Sequence, residues 1–137
     1  MYIVLSINPL NIPLTQESTG KHMNKDAISE IEANVKEARK IASLGAALER
    51  LKSNRDFKMV IQSGYFEAEA IRLVHLKADA HFQTKERQES IIKQIDAIGA
   101  LSSYLYTVEH SASLAQKAIE SDEAMLSELL AEELGNG

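Results

Sequence analysis

Residues 84–134 read TKERQESIIKQIDAIGALSSYLYTVEHSASLAQKAIESDEAMLSELLAEEL. The stretch holds no proline and a single internal glycine, Gly99. Its apolar residues fall at Ile91, Ile95, Ile98, Leu101, Leu105, Val108, Ala112, Ala115, Ile119, Leu126 and Leu129, in steps of three and four. From Leu101 onward the steps alternate four and three when Asp122 is counted. That is a heptad seam, the pattern of one helix lying along another. A helix of about 50 residues spans roughly 75 Å. A compact chain of this length has a radius of gyration near ~14 Å. The helix therefore projects, bends or lies against a partner.

The remaining chain offers shorter helical stretches, enough on this reading to cover about half of the seam, since a helix covers ~1.5 Å per residue. The other half is expected to be buried by a second copy or another protein. Ala112 and Ala115 make the middle of the seam narrow, so a partner helix can come close. Asp122 puts a charge in the seam, a device that costs stability and fixes register. The competing reading is a break at Ser111, Ala112 and Ser113, with the helix folding back as a hairpin. Serine is a poor helix former but not a breaker.

Working outward, composition agrees with helices packed side by side. The chain has 137 residues, 45% hydrophobic and only 5% aromatic, with no tryptophan, so its core is thin. Net charge is −5, which argues against a general binder of nucleic-acid backbone. With no cysteine there is no disulfide framework, thiolate metal site or cysteine nucleophile. The first apolar run, residues 2–7, is too short for a signal sequence and lacks a basic start. No stretch approaches the length of a membrane span, so a soluble protein is expected.

The expected fold is all-α: a helical hairpin or bundle with one long C-terminal helix and an extended N-terminal arm. Residues 1–25 form the arm and linker. Residues 26–137 form the helical domain, with helices at about 26–52, 55–63, 65–79 and 84–134, boundaries set by periodicity and punctuation. In the arm, Pro9 and Pro13 bias the residues before them to extended shapes. Leu10, Ile12 and Leu14 would then point one way. Such an arm packs across its own helices or docks on a neighbour. Asn24 or Asp26 is the expected cap of the first helix. Ile28, Ile31, Val35, Ala38, Ile41, Leu44, Leu48 and Leu51 form its stripe. Gly64 is read as a helix C-terminal cap. Phe57, Tyr65, Phe66 and Phe82 anchor the core of the monomer.

No chemistry accompanies this frame. His75, Asp79 and His81 lie close in sequence, but no zincin pattern joins them, and a polar helix end explains them. There is no glycine-rich phosphate loop, and Gln62, Ser63, Gly64 and Tyr65 do not make a nucleophile elbow. A helix-turn-helix around Gly64 would lack a basic second helix, because Glu67 and Glu69 stand there. No enzyme activity, cofactor or metal is expected.

One segment carries a resemblance. LKSNRDFK at 51–58, GYFE at 64–67 and AIRLV at 70–74, with IDAIGAL at 95–101 and LLAEE at 129–133, resemble small helical accessory proteins of tailed bacteriophages. The resemblance covers about residues 48–133 and transfers no functional residue. It implies a virion or head-assembly component, located in the virion or the host cytoplasm. Its partners would be copies of itself or other phage structural proteins, with no membrane and no direct nucleic-acid contact. The residues expected to meet partners are Leu10, Ile12 and Leu14 in the arm. In the seam they are Ile98, Leu101, Leu105, Val108, Ala112, Ala115, Ile119 and Leu126. Two other readings stand beside it: a phage-encoded inhibitor of a host polymerase or defence factor, and a helical oligomer sequestering a small nucleotide.

Overall fold

The structure is a computed structural model that describes residues 20–135. Every element among them is helical. Helix α1 spans Gly20–Ser53. After Asn54 comes a single turn, α2, at Arg55–Phe57. It runs into a π-helical segment, Lys58–Glu69, and then α3, Ala70–Ala78. A 3-10 turn at Ala80–Phe82 leads to α4, Lys85–Gly135. Helix α4 is unbroken through Ser111, Ala112 and Ser113.

Cross-chain pairs give the layout. Arg39 meets Glu123, Lys52 meets Glu109, and Leu73 packs with Ile91 and Ile98. Higher numbers before the turn always meet lower numbers after it. The elements before the turn thus lie end to end as a first arm, antiparallel to α4. The molecule is one long helical hairpin.

This arrangement corrects the expectation about the seam. The short stretches were expected to cover only part of it. Laid end to end, they follow it along its length. Ile91, Ile98, Val108, Ala115, Ile119 and Asp122 are buried within the chain itself. Ile95, Leu101, Leu105, Ala112, Leu126 and Leu129 are half-buried. The physical reason is that the first arm breaks without turning. Asn54 is extended for one residue (φ −72°, ψ 129°), and its side chain accepts a hydrogen bond from Phe57 N at 3.0 Å. A new helix therefore starts at once, without reversal of the chain.

Gly64 is a second correction. It is not a terminal cap: the helix runs through it inside the π segment. A Cβ at this position would stand 3.1 Å from the carbonyl oxygen of Met59, so glycine fits the wide turn with least crowding. Helix α1 also starts at Gly20, ahead of the predicted Asn24 or Asp26 cap. No proline interrupts residues 20–26, so the helical pattern simply extends back.

The core is two small clusters along the hairpin. Near the turn, Leu73 is fully buried against Ile91 and Ile98, with Tyr65, Phe66 and Phe82 around them. Three of the four expected aromatic anchors are therefore there, and Phe57 is half-buried elsewhere. Toward the open end, Ala38, Ala115 and Ile119 form the second cluster. Between them Gly45 sits directly on Ala112: a Cβ on Gly45 would lie 2.1 Å from the Ala112 Cβ. The narrow middle of the seam receives α1 of the same chain.

Candidate interaction surface

The seam residues expected to meet partners face the first arm instead. Ile98, Val108, Ala115 and Ile119 are buried there, while Leu101, Leu105, Ala112 and Leu126 are half-covered. Leu10, Ile12 and Leu14 lie outside the described residues. What remains for other molecules is the pair of flanks left by any two-helix hairpin.

Helical geometry assigns residues to these flanks. A residue just past a seam position is rotated about 100° to one side, and a residue just before it about 100° to the other. Arg39 follows Ala38 and Glu123 follows Asp122, and the two are joined at 2.6 Å. Positions just past the seam on both arms thus share a flank. Over the α1 half of the hairpin that flank is mostly polar, with Ser43 and Ser53 on α1 and Glu109, Ser113, Gln116 and Glu120 on α4, but it also carries Ala46 and the exposed Leu130, with exposed Tyr106 just beyond. Lys52 bonds Glu109 there, which raises the Lys52 pKa above its ordinary value. Both partners of the Arg39–Glu123 pair are at least half exposed, so the pair marks the register and adds little stability.

Positions just before the seam share the opposite flank, which is polar at Glu30, Asn34, Glu37, Thr107, Ser111 and Ser121 and mainly apolar beside Ile41–Leu51. Helix α1 supplies Ile41, Leu44 and Leu51, with Leu48 beside them. Helix α4 supplies Tyr104, Leu114, Ala118 and Met125. Leu48 and Ala118 are buried, but Leu44 is 51% exposed, Leu114 47% and Tyr104 56%. An apolar patch therefore lies on this side of the rod beside Ile41–Leu51, flanked by polar positions. Sequence reading placed Leu44 in the stripe of α1 and passed over Leu114 and Tyr104. The signal was present on both helices, but only the antiparallel register shows that the two half-strips fall on one side.

A second apolar area lies near the turn. Val74 follows Leu73 and Ile92 follows Ile91, so they occupy the other flank there, with Ile71 further round. All three are exposed. The turn itself is closed by polar bonds. Asp79 Oδ1 accepts from His81 N at 2.8 Å, and Gln83 Nε2 donates to the carbonyls of Lys77 and Asp79. Gln88 Nε2 donates to Lys77 and Phe82 carbonyls, and the Arg87 guanidinium lies 5.1 Å from the Phe82 ring centre. Asp79 and His81 thus shape the turn, and His75 is exposed on α3. Among the described residues no three histidine or acidic side chains gather as metal ligands.

Asp122 is the one buried charged residue among those described, and burial raises its pKa above the ordinary value. No helix among the described residues is long and apolar enough to cross a membrane. Comparison with protein families, with curated proteins and with solved structures returned no match.

Proposed function

We propose that the protein is a non-enzymatic assembly protein of a tailed phage particle, joining copies of itself or other structural proteins side by side. The observation that supports this reading is the division of apolar surface. The seam is satisfied within the chain, yet large side chains stay exposed on both flanks. Tyr104 and Leu114 lie on one, and Val74, Ile92, Tyr106 and Leu130 on the other. Exposed large apolar side chains on both flanks of a rod suit contact faces. Two unlike faces on opposite sides make head-to-tail contacts, which build rings or filaments rather than closed pairs. The resemblance to phage accessory proteins supplies the setting, and helix–helix contact through the flanks replaces contact through the seam.

Mass measurement on purified particles of a phage encoding this chain tests the reading. Stoichiometric presence in the particle supports it. Absence from the particle, with capture of one host polymerase or defence protein from lysate, replaces it with the inhibitor reading.

A further inference from the structure

We propose that residues 55–69 of the first arm have two settings: the π-helical one, and an α-helical one that turns Met59 inward and Phe57 and Ile61 outward. Three observations converge on such a device. The first is length. Wide turns usually occur singly inside α-helices. Here they run through 12 residues, Lys58–Glu69, with α-helix on both sides. So long a run is held by what it buries.

The second is phase. Phe57, Ile61 and Tyr65 are half-buried and Leu73 is fully buried, so all four face the seam. An α-helix advances about 100° per residue, which would leave Phe57 about 160° and Ile61 about 120° away from Leu73. The wide turns remove that drift. A second apolar set lies interleaved with the first. Counted back from Leu73 at ~100° per residue, Ala70, Phe66, Gln62 and Met59 all fall within about 60° of it. Their steps of three and four are those of an ordinary α-helical stripe. Met59 is 61% exposed in the π setting, which leaves its apolar surface unused. Phe66, Ala70 and Leu73 belong to both sets, so the cluster with Ile91 and Ile98 is kept in either setting. Only the half nearer α1 rotates.

The third is the joint. Asn54 is extended (φ −72°, ψ 129°) between α1 and the rotating half. A single residue at the end of an element can absorb such a change in backbone angles. Gly64 sits inside the rotating half, where a Cβ would crowd the Met59 carbonyl oxygen at 3.1 Å. In the α setting position 64 lies about 180° from Leu73, on the outer face, and a Cβ there meets no seam residue. The π setting dominates because it covers Phe57 and Ile61, whereas the α setting brings the Gln62 amide toward the seam. The α setting places Phe57 and Ile61 outside beside Val60, already 59% exposed. A partner that binds this apolar strip selects the α setting. The device belongs to the isolated chain and stands apart from the proposed role in a particle.

The chain has no cysteine, so single introduced thiols report cleanly. Full-length Ile61→Cys and Met59→Cys are labelled in native buffer, each with and without Gly64→Ala. Alanine favours an α-helix over glycine by about fivefold at one position, so labelling of Ile61→Cys should rise about fivefold with Gly64→Ala. Met59→Cys should label no faster. Tyr65→Ala removes a side chain that is half-buried in the π setting, and it should raise Ile61→Cys labelling in the same selective way without touching the glycine. Loss of helicity in Gly64→Ala by circular dichroism, a rise at both thiols, or no rise at Ile61→Cys overturns the proposal.

Discussion

At the scale of single residues, the two interior glycines of the long helices have opposite roles. Gly99 meets nothing within 4 Å of an added Cβ, so it carries only the backbone entropy of glycine in a helix. Gly99→Ala should stabilise the chain by about 0.5–1 kcal/mol, read as a higher urea midpoint. Asp122 is a different case. Its folded pKa is raised by burial above the ordinary 3.8. The folded chain therefore holds the proton more tightly than the unfolded chain. The stability tied to this group is full below pH 3.8 and falls as pH rises through the folded pKa. Asp122→Asn should raise the urea midpoint at pH 7 and give progressively less gain as the pH is lowered toward 3. A gain that is the same at both pH values, or a loss at pH 7, would show that the carboxylate is stabilised by its site.

At the scale of elements, the pairing of α1 with α4 rests on close approach in the middle of the rod. Gly45→Ala adds helix propensity but drives a methyl group into Ala112, at 2.1 Å before relaxation. Overpacking of this kind costs about 1–3 kcal/mol. Ala112→Gly should restore most of the loss, because the two sites share one space and their effects do not add. A double-mutant cycle by urea unfolding reads the coupling, and strict additivity would break the register that sets Gly45 against Ala112. The narrow seam at Ala112 and Ala115 was legible in the sequence, and so was the unbroken length of α4. The identity of the close neighbour was not. Heptad spacing states that a helix must lie there and is silent on whose helix it is. The π segment was illegible for a related reason. Wide turns carry no periodic signature of their own. Gly64 then looked like a stop, because a glycine after an apolar run is what a helix end usually shows. The apolar flank was half visible, as Leu44 and Leu51 on one helix. Its other half, Tyr104 and Leu114, gains meaning only when an antiparallel neighbour sets both strips side by side.

At the scale of the whole molecule, the hairpin is about 76 Å long, from the 51 residues of α4, and about two helices wide. A body of that shape has little interior, so its seam carries most of its stability. The sequence pattern alone allowed the seam to be closed by another molecule; the hairpin closes it within one chain. These alternatives differ in mass action. A seam completed by a partner makes stability rise with protein concentration, because association favours the folded state. A seam completed by the chain's own first arm does not. The unfolding midpoint of the isolated protein should therefore hold constant over a roughly hundredfold range of concentration. Leu105→Asp, which places a charge at a half-buried seam position, should lower that midpoint by the same amount at every concentration. Flank substitutions such as Val74→Asp should leave the midpoint nearly unchanged and act only on association measured by sedimentation. A wild-type midpoint that climbs with concentration, together with a Leu105→Asp variant that is merely a less associated but fully helical chain, would return the seam to an intermolecular role. The hairpin would then be one of two ways for the same heptad face to be buried.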